Sequence, residues 1–100
     1  MTLRHVVTWK MATEDPAERA EHAAGVASRL QALVGVVPSI RSLSTGVNAL
    51  AIDGNWDVTL VADFDDEDGL QAYQVHPAHQ EVIAYVRAVT GSRSAVDFTI

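Results

Sequence analysis

The sequence predicts an α+β fold: a four-stranded antiparallel sheet with helices on one face, in the order strand, helix, strand, strand, broken helix, strand. Three observations carry that prediction. Period-two alternation of apolar and polar residues opens the chain, closes it and recurs at residues 56–64. Two stretches of helical spacing lie between the alternating segments. Pro77 interrupts the second of these, because its ring disfavours helical geometry at His76. This order is the split βαβ pattern of a ferredoxin-like sandwich. At 100 residues there is room for one domain, residues 1–100, and 48% apolar residues is enough for a packed core.

Each element has a local reason. Leu3 to Lys10 is rich in β-branched and aromatic residues, with Leu3, His5, Val7 and Trp9 on one face and Arg4, Val6, Thr8 and Lys10 on the other. Asp15-Pro16-Ala17-Glu18 reads as a helix start: Asp15 caps, Pro16 suits the first turn and Glu18 completes an approximate capping box. Ala20, Ala23, Ala27, Leu30 and Val34 predict its buried stripe, Gly35 its close and Pro38 its absolute limit. Ser39 to Val47 is the second strand, and Asp53-Gly54-Asn55 is a turn. Trp56 to Phe64 is the clearest strand, with Trp56, Val58, Leu60, Ala62 and Phe64 on one side. Asp65-Asp66-Glu67-Asp68 places negative charge at the positive end of a short helix running to about Gln74. The helix restarts at Pro77 with His79, Val82, Ile83, Val86 and Val89 on one side; Gly91 ends it, and Ser94 to Ile100 alternates as the final strand.

Composition excludes several functions. A formal net charge of −6 and no basic cluster repel phosphate backbones and anionic lipid, so neither nucleic acid nor a membrane is an expected partner. No apolar run approaches the ~20 residues a spanning helix needs. The absence of cysteine removes thiolate nucleophiles and zinc–thiolate sites and suits a reducing, cytoplasmic setting. No phosphate-cradling glycine loop, dinucleotide fingerprint or Ser-His-Asp signature is present, and no cofactor is expected. In such a sandwich the helices cover one sheet face. Val6, Val61 and Leu43 place apolar groups on the other, and a second copy of the chain is the simplest cover, so a homodimer is expected.

The residues that carry chemistry cluster in Tyr73-Gln74-Val75-His76-Pro77-Ala78-His79. Imidazole titrates near neutral pH and a phenol donates a hydrogen bond without ionising, so together they can move a proton or hold a polar ligand atom. The stretch Leu70-Gln71-Ala72-Tyr73-Gln74-Val75-His76-Pro77-Ala78-His79 resembles the stress-responsive A/B barrel, or Dabb, proteins. The opening His5-Val6-Val7 strand with Lys10 at its end, Pro38 before the second strand and Trp56-Asp57 entering the third extend the resemblance over the whole chain. It implies a ferredoxin-like protomer pairing into a dimeric α+β barrel. A few members of that family are similar to polyketide cyclases, in which a helix-borne histidine and a nearby tyrosine drive an aldol-type ring closure. Carried across, His79 matches that histidine, Tyr73 the tyrosine, and His5 a strand histidine lining the same cleft. A further tyrosine on the first helix of such cyclases has Leu30 in its place here.

The spacing of His79 to Val82, Ile83 and Val86 puts it on the inward stripe, where burial and the helix N-terminus both favour a neutral ring able to accept a proton. Tyr73 and His5 are then expected to converge on it as a hydroxyl that stabilises an enolate and an orienting imidazole. Against this stands a plainer expectation, a buried histidine that merely secures the helix break. His76, Trp9 and Leu30 complete the candidate ligand-binding set, although His76 also suits capping of the second half-helix and Trp9 a core anchor. His22, among Glu18, Arg19 and Glu21, reads as a solvated residue. Paired His76 and His79 lack the carboxylate companions of a metal site. Two functions remain: a small apolar cleft binding an aromatic or polyketide-like molecule, with or without cofactor-free acid–base catalysis, or a non-catalytic structural or interaction protein.

Overall fold

Alternation decides the sheet. The computed structural model describes residues 1–100, and in it β1 (Leu3–Met11), β2 (Ser42–Val47), β3 (Val58–Phe64) and β4 (Thr90–Thr99) form one antiparallel sheet in the order β2-β3-β1-β4. Helices α1 (Pro16–Gln31), α2 (Glu67–Val75) and α3 (Pro77–Val89) lie between the strands. This is the expected ferredoxin-like βαββαβ arrangement with its second helix broken.

His5, Val7, Trp9 and Met11 on β1 and Val58, Leu60, Ala62 and Phe64 on β3 are all buried on the helix side of the sheet. Leu43 pairs with Ala62 and is buried on that same side. The expectation that Leu43 faces away from the helices is therefore corrected: its register with β3 puts it one pleat over from the place assumed. The opposite face carries Val6 between Val61 and Val96, and Phe98 beside Arg4. Arg4 and Asp63 form a two-pronged ion pair there, at 2.8 and 2.9 Å. No helix covers this face.

Asp15 caps α1 by accepting from the Glu18 N–H at 2.9 Å, with Pro16 in the first turn. The Asp15 N–H donates to Thr13 Oγ1, so only half of the capping box forms. α1 stops at Gln31, short of Gly35, whose φ of +84° falls in the turn beyond. That turn tightens through hydrogen bonds from Leu33 to Leu30 and from Val36 to Leu33, which drives Leu33 and Val37 into the core. As a result the buried stripe is Ala23, Val26 and Leu30, and Val34 is exposed. β2 and β3 begin later than expected, at Ser42 and Val58. Trp56 precedes β3, and Asp57 turns inward to accept from the Met11 N–H at 2.8 Å and from Arg19 Nε at 3.1 Å. One carboxylate thus joins β1, α1 and the entry to β3.

At the other edge, β4 leaves α3 directly, with Thr90 Oγ1 bonded to the Val86 carbonyl. Gly91 does not end the helix; it is the extra residue of a bulge between the Lys10–Ser92 and Met11–Thr90 pairs. From Gly91 to Ile100 every residue of this edge is exposed. The helices cover β2, β3 and β1 but leave the inner side of β4 uncovered. No helix is long and apolar enough to cross a membrane.

Candidate functional site

The space left over β4 is a cleft of about 480 Å³, bounded by β1, α3 and the start of β4. Val7, Trp9, Leu30, Leu60, Ile83 and Val86 form its apolar wall, and His5, Tyr73 and His79 are set into it. The volume lies within the ~300–1,000 Å³ range of small-molecule sites.

The helix break builds the corner that holds His79. With Pro77 following, His76 takes an extended backbone, φ −62° and ψ 135°, so α2 ends and the Gln74 carbonyl loses its helical donor. That oxygen accepts from His79 Nδ1 at 3.0 Å and from Gln80 Nε2 at 2.6 Å. Because a carbonyl only accepts, His79 carries its proton on Nδ1, and in the neutral ring the lone pair sits on Nε2. Nothing in the chain hydrogen-bonds Nε2. Burial holds the His79 pKa below the ordinary histidine value, with the Gln74 bond acting against it. The lowered pKa favours the neutral ring.

Tyr73 sits on the last turn of α2, 1% exposed, its ring 4.3 Å from the His79 imidazole and 5.1 Å from Phe64. Its hydroxyl is fully buried and has no hydrogen-bond partner. Burial pushes the phenol up to about 12, so it remains a donor at any physiological pH. An unpaired buried hydroxyl costs roughly 1–3 kcal/mol. His5, on β1, is also buried, and its Nδ1 is hydrogen-bonded to the Asp97 carboxylate across the β1–β4 ladder. The carboxylate fixes that ring with Nε2 free of protein partners.

Of the sequence-derived candidates, His79, Tyr73, His5, Trp9 and Leu30 all line the cleft. His76 does not. Its Nδ1 accepts from the Ala78 N–H at 3.0 Å and caps α3, which turns the ring away from the cleft. No three His, Asp or Glu side chains gather as a metal cage. His22 is half-buried with Nδ1 unpaired, not solvated as expected, because α1 rotates relative to the anticipated stripe. Sequence reasoning missed Asp97, Arg87 and Arg93. Asp97 becomes visible only when register sets it opposite His5; Arg87 falls two turns after His79 on the same helix, a spacing that could have found it.

No curated protein matches the chain. Among solved structures, a dimeric ferredoxin-like protein of unknown function from Thermobifida fusca is similar at 31% identity and a TM-score of 0.83, over 100% of this chain and 92% of that one. A dimeric protein of unknown function and ferredoxin-like fold from Bacteroides fragilis is 24% identical with a TM-score of 0.89, over 99% and 96%. The fold alone is shared with SnoaB, a cofactor-independent oxygenase from Streptomyces nogalater, at 14% identity and a TM-score of 0.74, over 99% and 92%. The family model of the stress-responsive A/B barrel (Dabb) domain matches residues 3–100, and the chain belongs to that family.

Proposed function

We propose that the cleft binds a small aromatic or polyketide-like molecule and performs cofactor-free acid–base chemistry on it. The observation that carries this reading is the Tyr73 hydroxyl, buried without a partner beside an imidazole whose Nε2 is also unengaged. His79 Nε2 takes a proton from a carbon next to a carbonyl, and the resulting enolate oxygen accepts from Tyr73. In a poly-β-ketone, the enolate carbon then attacks a second carbonyl of the same molecule. A carbon–carbon bond forms, and the new alkoxide recovers the proton from the His79 imidazolium. His5, steadied by Asp97, supplies a second imidazole at the wall. A fold shared with a cofactor-independent oxygenase agrees with chemistry run by side chains alone.

The protein acts as a cytoplasmic homodimer. Val6, Val61 and Val96 make a contiguous apolar row that no helix covers, and two similar structures are described as dimeric. Val61→Asp would place a charge in that row and shift light-scattering mass from dimer to monomer.

A second reading has its own support. His76 capping α3 and the shared Gln74 carbonyl show that both histidines also hold the helix break. A bicyclic ketone, 2-tetralone, separates the two. The acid–base reading predicts accelerated exchange of its α-protons for deuterium, lost in His79→Gln and reduced in Tyr73→Phe. No acceleration over buffer, with His79→Gln only lowering stability, leaves a scaffold.

A further inference from the structure

The charge around the cleft runs against the charge of the chain. Acidic residues outnumber basic ones, 13 to 7, yet no Asp or Glu lines the cleft, while two arginines do. The other arginines are occupied: Arg4 by Asp63, Arg19 by Asp57, Arg41 by Asp65, and Arg29 by the Tyr85 ring, 3.6 Å from its centroid. Arg87 and Arg93 have no carboxylate partner. Arg87, exposed, shares the cleft-lining side of α3 with His79 and Ile83; Arg93 stands opposite Trp9 on β4, on the same face of the sheet. They reach the cleft from its two walls.

Resting on the reading of the cleft as an aromatic-ligand site, we infer that its ligand carries a carboxylate or an equivalent anionic group, held between Arg87 and Arg93 while the aromatic body lies against Ile83 and the edge of Trp9. Guanidinium groups match carboxylates in geometry as well as charge. Asp97, on the same face of β4, is held by His5 and does not line the cleft, so it does not neutralise the pair. Arg87 also meets the negative end of α3, which accounts for an arginine there; it gives no account of Arg93. The field of both arginines extends to the reacting groups: Arg93 favours ionisation of Tyr73, and both disfavour the His79 imidazolium.

The test is calorimetric titration with 1-hydroxy-2-naphthoate and with its methyl ester, at low and high salt. The wild-type protein is expected to bind the acid about tenfold or more tightly than the ester, about 1.4 kcal/mol, with the preference falling as salt rises. The double variant Arg87→Gln, Arg93→Gln should lose the preference and keep its affinity for the ester, whereas Lys10→Gln, outside the cleft, should change nothing. Equal affinity for acid and ester, both weakened in Tyr73→Phe, would overturn the anionic ligand and leave the aromatic site standing. A preference retained by the double variant would overturn it as well. If neither compound binds, the aromatic site and the inference drawn from it fall together.

Discussion

β3 and β4 flank β1 on its two sides, with opposite outcomes. The inner residues of β3, Val58, Leu60, Ala62 and Phe64, are at most 3% exposed; the inner residues of β4, Arg93, Ala95 and Asp97, are all exposed. Both strands alternate and both pair fully with β1. What differs is the cover. α1 and α2 lie over β3 with Val26, Leu30, Leu70 and Tyr73 filling the gap, whereas α3 turns straight into β4 and never lies across it. A sheet half sealed and half open places a dry, rigid wall beside accessible space, with His5, Tyr73 and His79 on the boundary.

The contrast can be broken most severely on the sealed side. Leu60→Ala should cost about 2–5 kcal/mol in denaturant unfolding, since its fully buried side chain leaves a cavity. Arg93→Ala on the open side should stay within about 0.5 kcal/mol. Comparable losses would erase the distinction between the two flanks. Next in size, Asp57→Asn weakens the joint between β1, α1 and β3 and should cost about 1–3 kcal/mol, because the Met11 N–H and Arg19 lose a charged acceptor. His76→Ala removes a helix cap, for a loss of about 1 kcal/mol by the same measurement.

Tyr73→Phe sharpens the comparison by its sign. A core tyrosine with a bonded hydroxyl would lose stability on this change. Here the hydroxyl has no partner, so melting should be unchanged or the protein stabilised by up to about 1 kcal/mol. The smallest effect is a pH dependence. The folded-state pKa of His79 lies below the unfolded value of 6.5, so between the two the unfolded chain binds more protons. Stability is fully present above pH 6.5, declines as pH falls towards the folded pKa and then levels off. His79→Gln should flatten that decline in melting experiments run across the acidic range.

Much of this architecture was legible in the residues because period-two alternation and helix caps are local. Asp15, Asp66 and Pro77 mark helix starts on their own, and β3 declares its inner face without help from its neighbours. Legibility failed where tertiary packing decided. Burial of Leu33 and Val37 shortened α1 and rotated its stripe, and register alone placed Leu43 inside. The bulge at Gly91 could not be inferred, because a glycine after a helix usually caps it. In the site, the Tyr73–His79 neighbourhood followed from spacing around one proline, while Asp97, 92 residues from His5, required the complete strand order.

The central claim is that His79 presents a neutral Nε2 to open, ligand-accepting space. Nitrogen NMR of the labelled imidazole tests it most directly, with pH varied and 2-tetralone added. The ring should be protonated on Nδ1 and titrate below the ordinary histidine value, with an Nε2 resonance that moves when the ketone binds. A ring that titrates at the ordinary value and ignores the ketone would contradict it.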